Sequence, residues 1–353
     1  MKIVKDTSIQ GRMAYLDVLK GVAIILVLLG HRGFNSALVQ VIYFFHMPLF
    51  FFISGYLDKM QTIPTHVTAS KKAKRLLYPY IVFNVLIIAY NTLFDFIRGE
   101  AEIGKLIKRI IAFLYGNYIW ENNIDYIGTL WFLVGLFFSV LIANLIYHFS
   151  NKSNIRLFIC FISLMLAGEI CSYMNVKFDI RLPWCIDVAF IGALFYLFGF
   201  YWKKWKQREK YEKCWVGLLF FIVGGILGYI NLVYMKINNY EMVRSDMLQM
   251  NYGILPLFIT SALLMSVGLM IIIKKICEKY SFKVGAHIGQ LSLLIMIDHL
   301  YVYEIFDIIL NRLGINRWLI FFPITLIVSI LLAEIVHKYL PILFEYKKLP
   351  FEK

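Results

Sequence analysis

Charge is what this chain lacks. Only 16% of its 353 residues are Asp, Glu, Lys or Arg, while 60% are hydrophobic and the mean hydropathy is +0.71. Soluble domains carry roughly 25% charged residues, so a water-soluble globule is excluded and an integral membrane protein is implied. Cysteine is sparse too. The five thiols, Cys160, Cys171, Cys185, Cys214 and Cys277, sit in apolar segments with no paired spacing. That excludes a disulfide scaffold or a zinc ribbon and reads as small buried hydrophobes. No Pro-, Gly- or Ser-rich linker, low-complexity tract or internal repeat interrupts the chain, so residues 1–353 read as a single membrane domain. The alternation of outer-membrane strands is missing. The first apolar run is too long, and lacks the small-residue cleavage pattern, for a cleavable signal peptide.

What is present is a series of windows long enough to cross a ~30 Å hydrocarbon core. About ten are expected: Ala14–His31, Leu38–Leu57, Leu76–Ile97, Ile127–Tyr147, Ile155–Met174, Pro183–Tyr201, Cys214–Tyr234, Gly253–Ile273, Ile288–Phe306 and Trp318–His337. The fold class is therefore all-α and polytopic. Loops assigned alternately from a cytoplasmic N-terminus put about 24 of the basic residues on that side and about 11 on the other. The clusters KKAKR (Lys71–Arg75), KKWKQREKYEK (Lys203–Lys213) and KKICEKYSFK (Lys274–Lys283) all fall on the same side. Both termini are expected in the cytoplasm, in the plasma membrane. The net charge of +14 reflects this bias; it suits anionic lipid headgroups and gives no support to nucleic-acid binding.

Several polar residues sit where hydrocarbon should reject them. Within LDVLKGVAIILVLLGH (Leu16–His31), Asp17, Lys20 and His31 project to one side of a helix, with Lys20 and His31 ~16 Å apart along the axis. A structural reading makes Asp17 and Lys20 an i,i+3 pair and His31 the outer end of the helix. A functional reading makes them two levels of one polar track. The next span, VIYFFHMPLFFFISGYL (Val41–Leu57), is broken near His46 and Pro48. Proline there frees a carbonyl that must find a partner, and a second histidine beside the break suggests a cavity. Imidazole titrates near neutrality and can take a proton from a hydroxyl, a poor nucleophile until deprotonated. HVTASKKAKRLLYPY (His66–Tyr80) follows with cations suited to phosphates. IGQLSLLIMIDHLYVYEIFD places Asp298 beside His299 within a span; neighbours on a helix point about 100° apart, so each should face a different partner. Trp131, Trp184 and Asp187 fall at expected outer helix ends, where an aromatic belt is the ordinary explanation. The stretch IGKLIKRIIAFLYG, with Lys105, Lys108 and Arg109 spaced for one face, should lie in the outer interface or over the outer mouth.

These blocks resemble the integral-membrane acyltransferase family (acyltransferase type 3), and within it the fucose 4-O-acetylase-like branch. The first-helix signature of that family is a basic residue, ten intervening residues and a histidine, preceded by an acidic residue; here these are Lys20, His31 and Asp17, with Lys where many members have Arg. FHMPLFFFISGYL is similar to the branch's second-helix signature, with His46, Pro48, Ser54 and Gly55 in place. KKAKRLLYPY resembles the basic loop ending in Pro-x-Tyr, with Lys72 and Arg75 at its two basic positions. WFLVGLF, LPWCIDVAFIGALFYLFG and IGQLSLLIMIDH resemble later blocks less specifically.

The resemblance implies O-acyl transfer, usually of acetyl from a cytosolic acyl-CoA to a hydroxyl of a sugar or surface glycan, with no bound cofactor and acetyl-CoA as donor substrate. On that basis His31 is the expected base, with His46 second; Lys20 and Asp17 would hold the track and polarise the donor, and Lys72, Lys74 and Arg75 would receive CoA phosphates. Ser54, Trp131, Asp298 and His299 are the candidates for substrate contacts. The competing class is a proton-coupled transporter or flippase of a glycan-related substrate, since intramembrane Asp, Lys and His also serve transport. Against it, no inverted repeat is visible.

Overall fold

A computed structural model describes residues 14–31, 36–60, 65–116, 128–151, 153–312 and 318–344. Ten stretches among them are helices long and apolar enough to cross a membrane, matching the expected number. Apart from a single backbone bridge between Asp246 and Asn251, the described residues contain no β structure. The elements are α1 (Ala14–His31), α2 (Ser36–Tyr43), α3 (His46–Leu57), α4 (Thr65–Lys72), α5 (Tyr78–Arg98), α6 (Ile103–Tyr115), α7 (Trp131–Ser150), α8 (Asn154–Phe178), α9 (Ile186–Lys204), α10 (Arg208–Tyr211), α11 (Cys214–Ile237), α12 (Leu255–Cys277), α13 (Lys283–Arg312) and α14 (Trp318–Tyr339).

The spans differ in how much of themselves they hide. The stretch containing α2 and α3, α7 and α9 each bury 72% of their apolar window, whereas α5, α8 and α14 bury 17%. The first group forms the centre with α1, α12 and α13, and the second faces lipid. Phe51, Phe52, Phe195, Phe200, Phe258 and Tyr196 fill the core. Lipid is as apolar as these side chains, so close packing must supply the association, and small residues permit it. A Cβ on Gly21 would strike the Gly285 carbonyl, and one on Gly289 would strike the Asp17 carbonyl, which locks α1 against α13. Gly55 and Gly199 play the same part between α3 and α9.

One boundary departs from the sequence reading. The span expected to begin at Leu76 begins eleven residues earlier, because the Lys- and Ala-rich KKAKR run is itself helical. A π-helical turn, Ala73–Leu77, joins α4 to α5, and the Tyr78 N–H reaches back to the Ala73 carbonyl. Pro79, which has no N–H to offer the Arg75 carbonyl, sits directly after this widened turn. The second span is broken as expected: Phe44 and Phe45 form a turn between α2 and α3.

Trp184, Asp187 and α6 also differ from the sequence reading. Trp184 is no lipid-facing belt residue. Its backbone is left-handed (φ 59°) and its ring packs inward near Tyr80 and Phe138, at 6.2 and 6.3 Å between centroids. Asp187 is buried and accepts from Arg181 Nε at 2.8 Å. On α6 the expected cationic face is divided. Arg109 turns inward to Asp95 (2.8 Å) and Thr92 (3.2 Å), while Ile103, Ile107, Ile110, Ile111 and Leu114 form an exposed apolar stripe. Residues 117–127, between α6 and α7, lie outside the described residues.

Candidate functional site

The polar residues of the sequence collect at two ends of the bundle, named here for Asp17 and His31. At the Asp17 end, Asp17 is only 4% exposed and Lys20 Nζ lies 3.4 Å from its carboxylate, the i,i+3 pair of the structural reading. Lys72 turns inward, 3.3 Å from Asp58 and 5.8 Å from the centre of the Tyr196 ring. The Tyr196 hydroxyl donates to the same carboxylate. Lys74 and Arg75 are exposed, so the expected phosphate-binding trio is split into one inward and two exposed cations. The neighbouring Tyr15 hydroxyl donates to that of Tyr56 at 2.9 Å, with Lys203 5.7 Å from the Tyr56 ring. Lys274 and Arg208 both meet Glu212 close by.

A continuous polar track along α1 is not found. The face between Lys20 and His31 is occupied by Ile24, Val27 and Leu28, all buried. Lys20 and His31 therefore belong to separate sites. Ser54 lies eight residues beyond His46 on α3, about 12 Å along the axis, and is not at the His31 level. Trp131 is buried in the core against Phe132 and Gly135.

At the His31 end three imidazoles converge. The His31 and His299 ring centroids are 5.2 Å apart; the Tyr43 ring stands 6.4 Å from His31 and 4.7 Å from His46. The register comes from the helix pair. Gly21 and Gly289 sit in the α1–α13 contact, the two helices run parallel, and ten residues further along each carries a histidine to the same level. Tyr303, one turn beyond His299, closes this seam by donating to the Leu28 carbonyl at 2.8 Å. Its ring stands 5.9 Å from that of His299.

The break in the second span fixes His46. Freed from a regular ladder, the Ile42 carbonyl accepts from Phe45 N–H (3.2 Å) and from His46 Nδ1 (2.9 Å). His299 Nδ1 likewise lies 3.0 Å from the Ile295 carbonyl. A carbonyl can only accept, so in each ring Nδ1 carries a proton. His299 is fully buried, and its Nε2 has no hydrogen-bond partner among the described residues. His31, by contrast, is exposed as a residue, at the end of α1. The centre thus holds a histidine at a helix end beside two oriented ones, an arrangement able to move a proton from a hydroxyl. Asp298 points elsewhere, toward Ser329 on α14, as adjacent helical positions require.

Two features were invisible in the sequence. The loop between α11 and α12 covers this end and sets the Arg244 guanidinium 4.0 Å from the Tyr43 ring centre. A cavity of about 310 Å³ opens between α5, α6 and α13, walled by Tyr90, Phe94, Arg98, Arg109 and Glu304. Glu304 lies five residues past His299, about 140° around α13, so this cavity is on the far side of that helix from the histidines. Tyr303 was legible in principle, being one turn from His299.

A polytopic helical membrane protein with a histidine centre at one end is the class these features define. The acyltransferase domain family matches residues 13–334, and the chain belongs to it. A stretch of 155 residues is 30% identical to the nodulation protein NolL of Sinorhizobium fredii (strain NBRC 101917 / NGR234). That similarity covers 39% of this chain and 37% of NolL. No solved structure matches.

Proposed function

We propose that the chain is an O-acetyltransferase of the plasma membrane, both termini cytoplasmic, that carries acetyl from acetyl-CoA to a hydroxyl of a sugar in a surface polysaccharide or exopolysaccharide. The observation that supports this best is the His31 imidazole, at the end of α1, set 5.2 Å from the buried His299 ring in a chain of the acyltransferase family. His31 takes the proton of the acceptor hydroxyl as its oxygen attacks the thioester carbonyl carbon. The tetrahedral intermediate collapses, the carbon–sulfur bond breaks, and the imidazolium returns its proton to the CoA thiolate. Tyr43, Tyr303 and His299 hold the His31 ring in place. His46 serves the same centre from α3.

The donor's phosphates fall to the Asp17 end. Lys74 and Arg75 are exposed there, and Lys72 lies behind them. The acyl arm then has to span the ~16 Å between the Lys20 and His31 levels by a path other than the α1 face that Ile24, Val27 and Leu28 fill. Asp17 and Lys20 remain a structural pair at the mouth of that route.

The test is surface-glycan O-acetylation, read by NMR in cells lacking the gene and complemented with wild type or His31→Ala. Loss of one acetyl group restored by wild type alone supports the reading. Retained acetylation with His31→Ala removes His31 as the base. A glycan unchanged by deletion, together with no thiol release from acetyl-CoA by the purified protein, favours the transporter instead.

A further inference from the structure

Three imidazoles can move protons, but the reaction proposed above also develops negative charge on the thioester carbonyl oxygen, which calls for a donor aimed at it. The loop over the His31 end carries one. Arg244 lies 4.0 Å from the centre of the Tyr43 ring, which itself stands 4.7 Å from His46 and 6.4 Å from His31. One of its terminal nitrogens, Nη2, is spent on Asp246 at 3.0 Å. Its Nε is buried and has no hydrogen-bond acceptor among the described residues. The side chain as a whole is 31% exposed and paired with Asp246, but its shielded Nε–H is a donor left open to a ligand.

The loop is built to hold this donor still. Asp246 and Asn251 exchange backbone hydrogen bonds at 2.9 Å. The Asp246 carboxylate also accepts from Leu248 and Gln249 N–H, at 3.0 and 3.2 Å. Asn251 Nδ2 donates to the carbonyls of Met242 and of Arg244 itself, at 2.6 and 2.9 Å. From α11, Asn231 clamps the far side, donating to the Tyr252 carbonyl and accepting from Ile254 N–H, both at 2.7 Å. From α8, Ser172 and Asn175 donate to the carbonyls of Met250 and Gln249. A solubilising loop needs none of this. A preorganised donor does, because rigidity removes the reorganisation that would otherwise accompany charge development.

We propose that Arg244 is a catalytic residue of the transfer step, donating its Nε–H to the thioester carbonyl oxygen as that oxygen becomes an oxyanion. The donor leaves the oxygen when the carbon–sulfur bond breaks and the ester carbonyl re-forms, and Arg244 neither gains nor loses a proton. The inference rests on the acyltransferase reading above.

The experiment is acetyl-CoA-dependent thiol release by the purified full-length protein in nanodiscs, with the surface-glycan fraction of the deletion strain as acceptor. Wild type, Arg244→Gln and Arg244→Lys are compared. Arg244→Gln should lower kcat about 100- to 1,000-fold, with the KM for acetyl-CoA and for the glycan within twofold of wild type. Arg244→Lys, which keeps the charge without the Nε–H, should fall between the two. Where Arg244→Gln does not yield a monodisperse protein, Arg244→Lys decides alone: a kcat at least tenfold below wild type supports the proposal, and an unchanged kcat overturns it. A rise confined to the KM for the glycan also overturns it, since that would make Arg244 an acceptor-binding residue. Wild type that releases no thiol overturns the acyltransferase reading itself, and a wild type as active as expected beside an equally active Arg244→Gln overturns only this inference.

Discussion

A histidine at this centre does two separable jobs. In His46 and His299 the Nδ1–H is spent on a backbone carbonyl one turn earlier, at 2.9 and 3.0 Å, which orients the ring and leaves Nε2 for chemistry or for a neighbour. Asparagine can reproduce the first role, because its amide nitrogen occupies roughly the place of Nδ1, but it offers nothing at the position of Nε2. His299→Asn should therefore keep the thermal midpoint near that of wild type and still lose most of the transfer rate. His299→Ala should lose both, since it abandons the Ile295 carbonyl and leaves a hole beside His31. Equal activity of His299→Asn and wild type would assign His299 to packing alone. At the other end, Lys72 and Arg75 make a similar contrast. Lys72→Ala strips the buried Asp58 of its cation, leaving the Tyr196 hydroxyl as a donor to it, and a buried carboxylate that loses its partner is strongly destabilising. Arg75 is exposed, so Arg75→Ala should raise the KM for acetyl-CoA without moving the thermal midpoint, whereas Lys72→Ala should lower that midpoint.

At the scale of helices, the position of the site is decided by glycines. The α1–α13 seam is tight enough that a Cβ on Gly289 would overlap the Asp17 carbonyl, which is backbone and cannot turn aside. Gly289→Ala must push the helices apart. Overpacking of this kind costs about 1–3 kcal/mol, and the displacement is carried along the seam to the Tyr303–Leu28 hydrogen bond and the His31–His299 contact. The expected outcome is a lower thermal midpoint together with lower transfer, while Gly225→Ala, which meets open space, should change neither. The same seam explains how much of the site could be read from the sequence. Helix periodicity located the spans, the break beside Pro48 and the divergence of Asp298 from His299, because these depend on residues within one helix. It could not show that His31 meets His299 rather than Lys20's level, since that depends on which helices share a glycine contact. Nor could it show Arg244, which lies in a short polar loop without any period, or the inward turn of Lys72, which is set by Asp58 from another element.

For the molecule as a whole, the question is which end faces which compartment, because donor phosphates and base are assigned to opposite ends. Lys71, Lys74, Arg75, Lys203, Arg208, Lys213 and Lys274 belong to connections at the Asp17 end, and such a bias toward one side sets cytoplasmic orientation in multi-span proteins. The Asp17 end should then meet cytosolic acyl-CoA, and the loop carrying Arg244 should face outward, toward a surface glycan. Cysteine accessibility decides this directly. Cys214 is an exposed native thiol, so it is first replaced by serine. In that background Asn239→Cys, at an exposed position of the loop between α11 and α12, should react with a membrane-impermeant maleimide on intact cells. Lys71→Cys, also exposed, should react only after permeabilisation. The reverse pattern would place the histidine centre in the cytosol. The acceptor would then have to be an intracellular sugar or small molecule, and the ~16 Å between the two levels would separate the base from the outside of the cell instead of delivering acetyl to it.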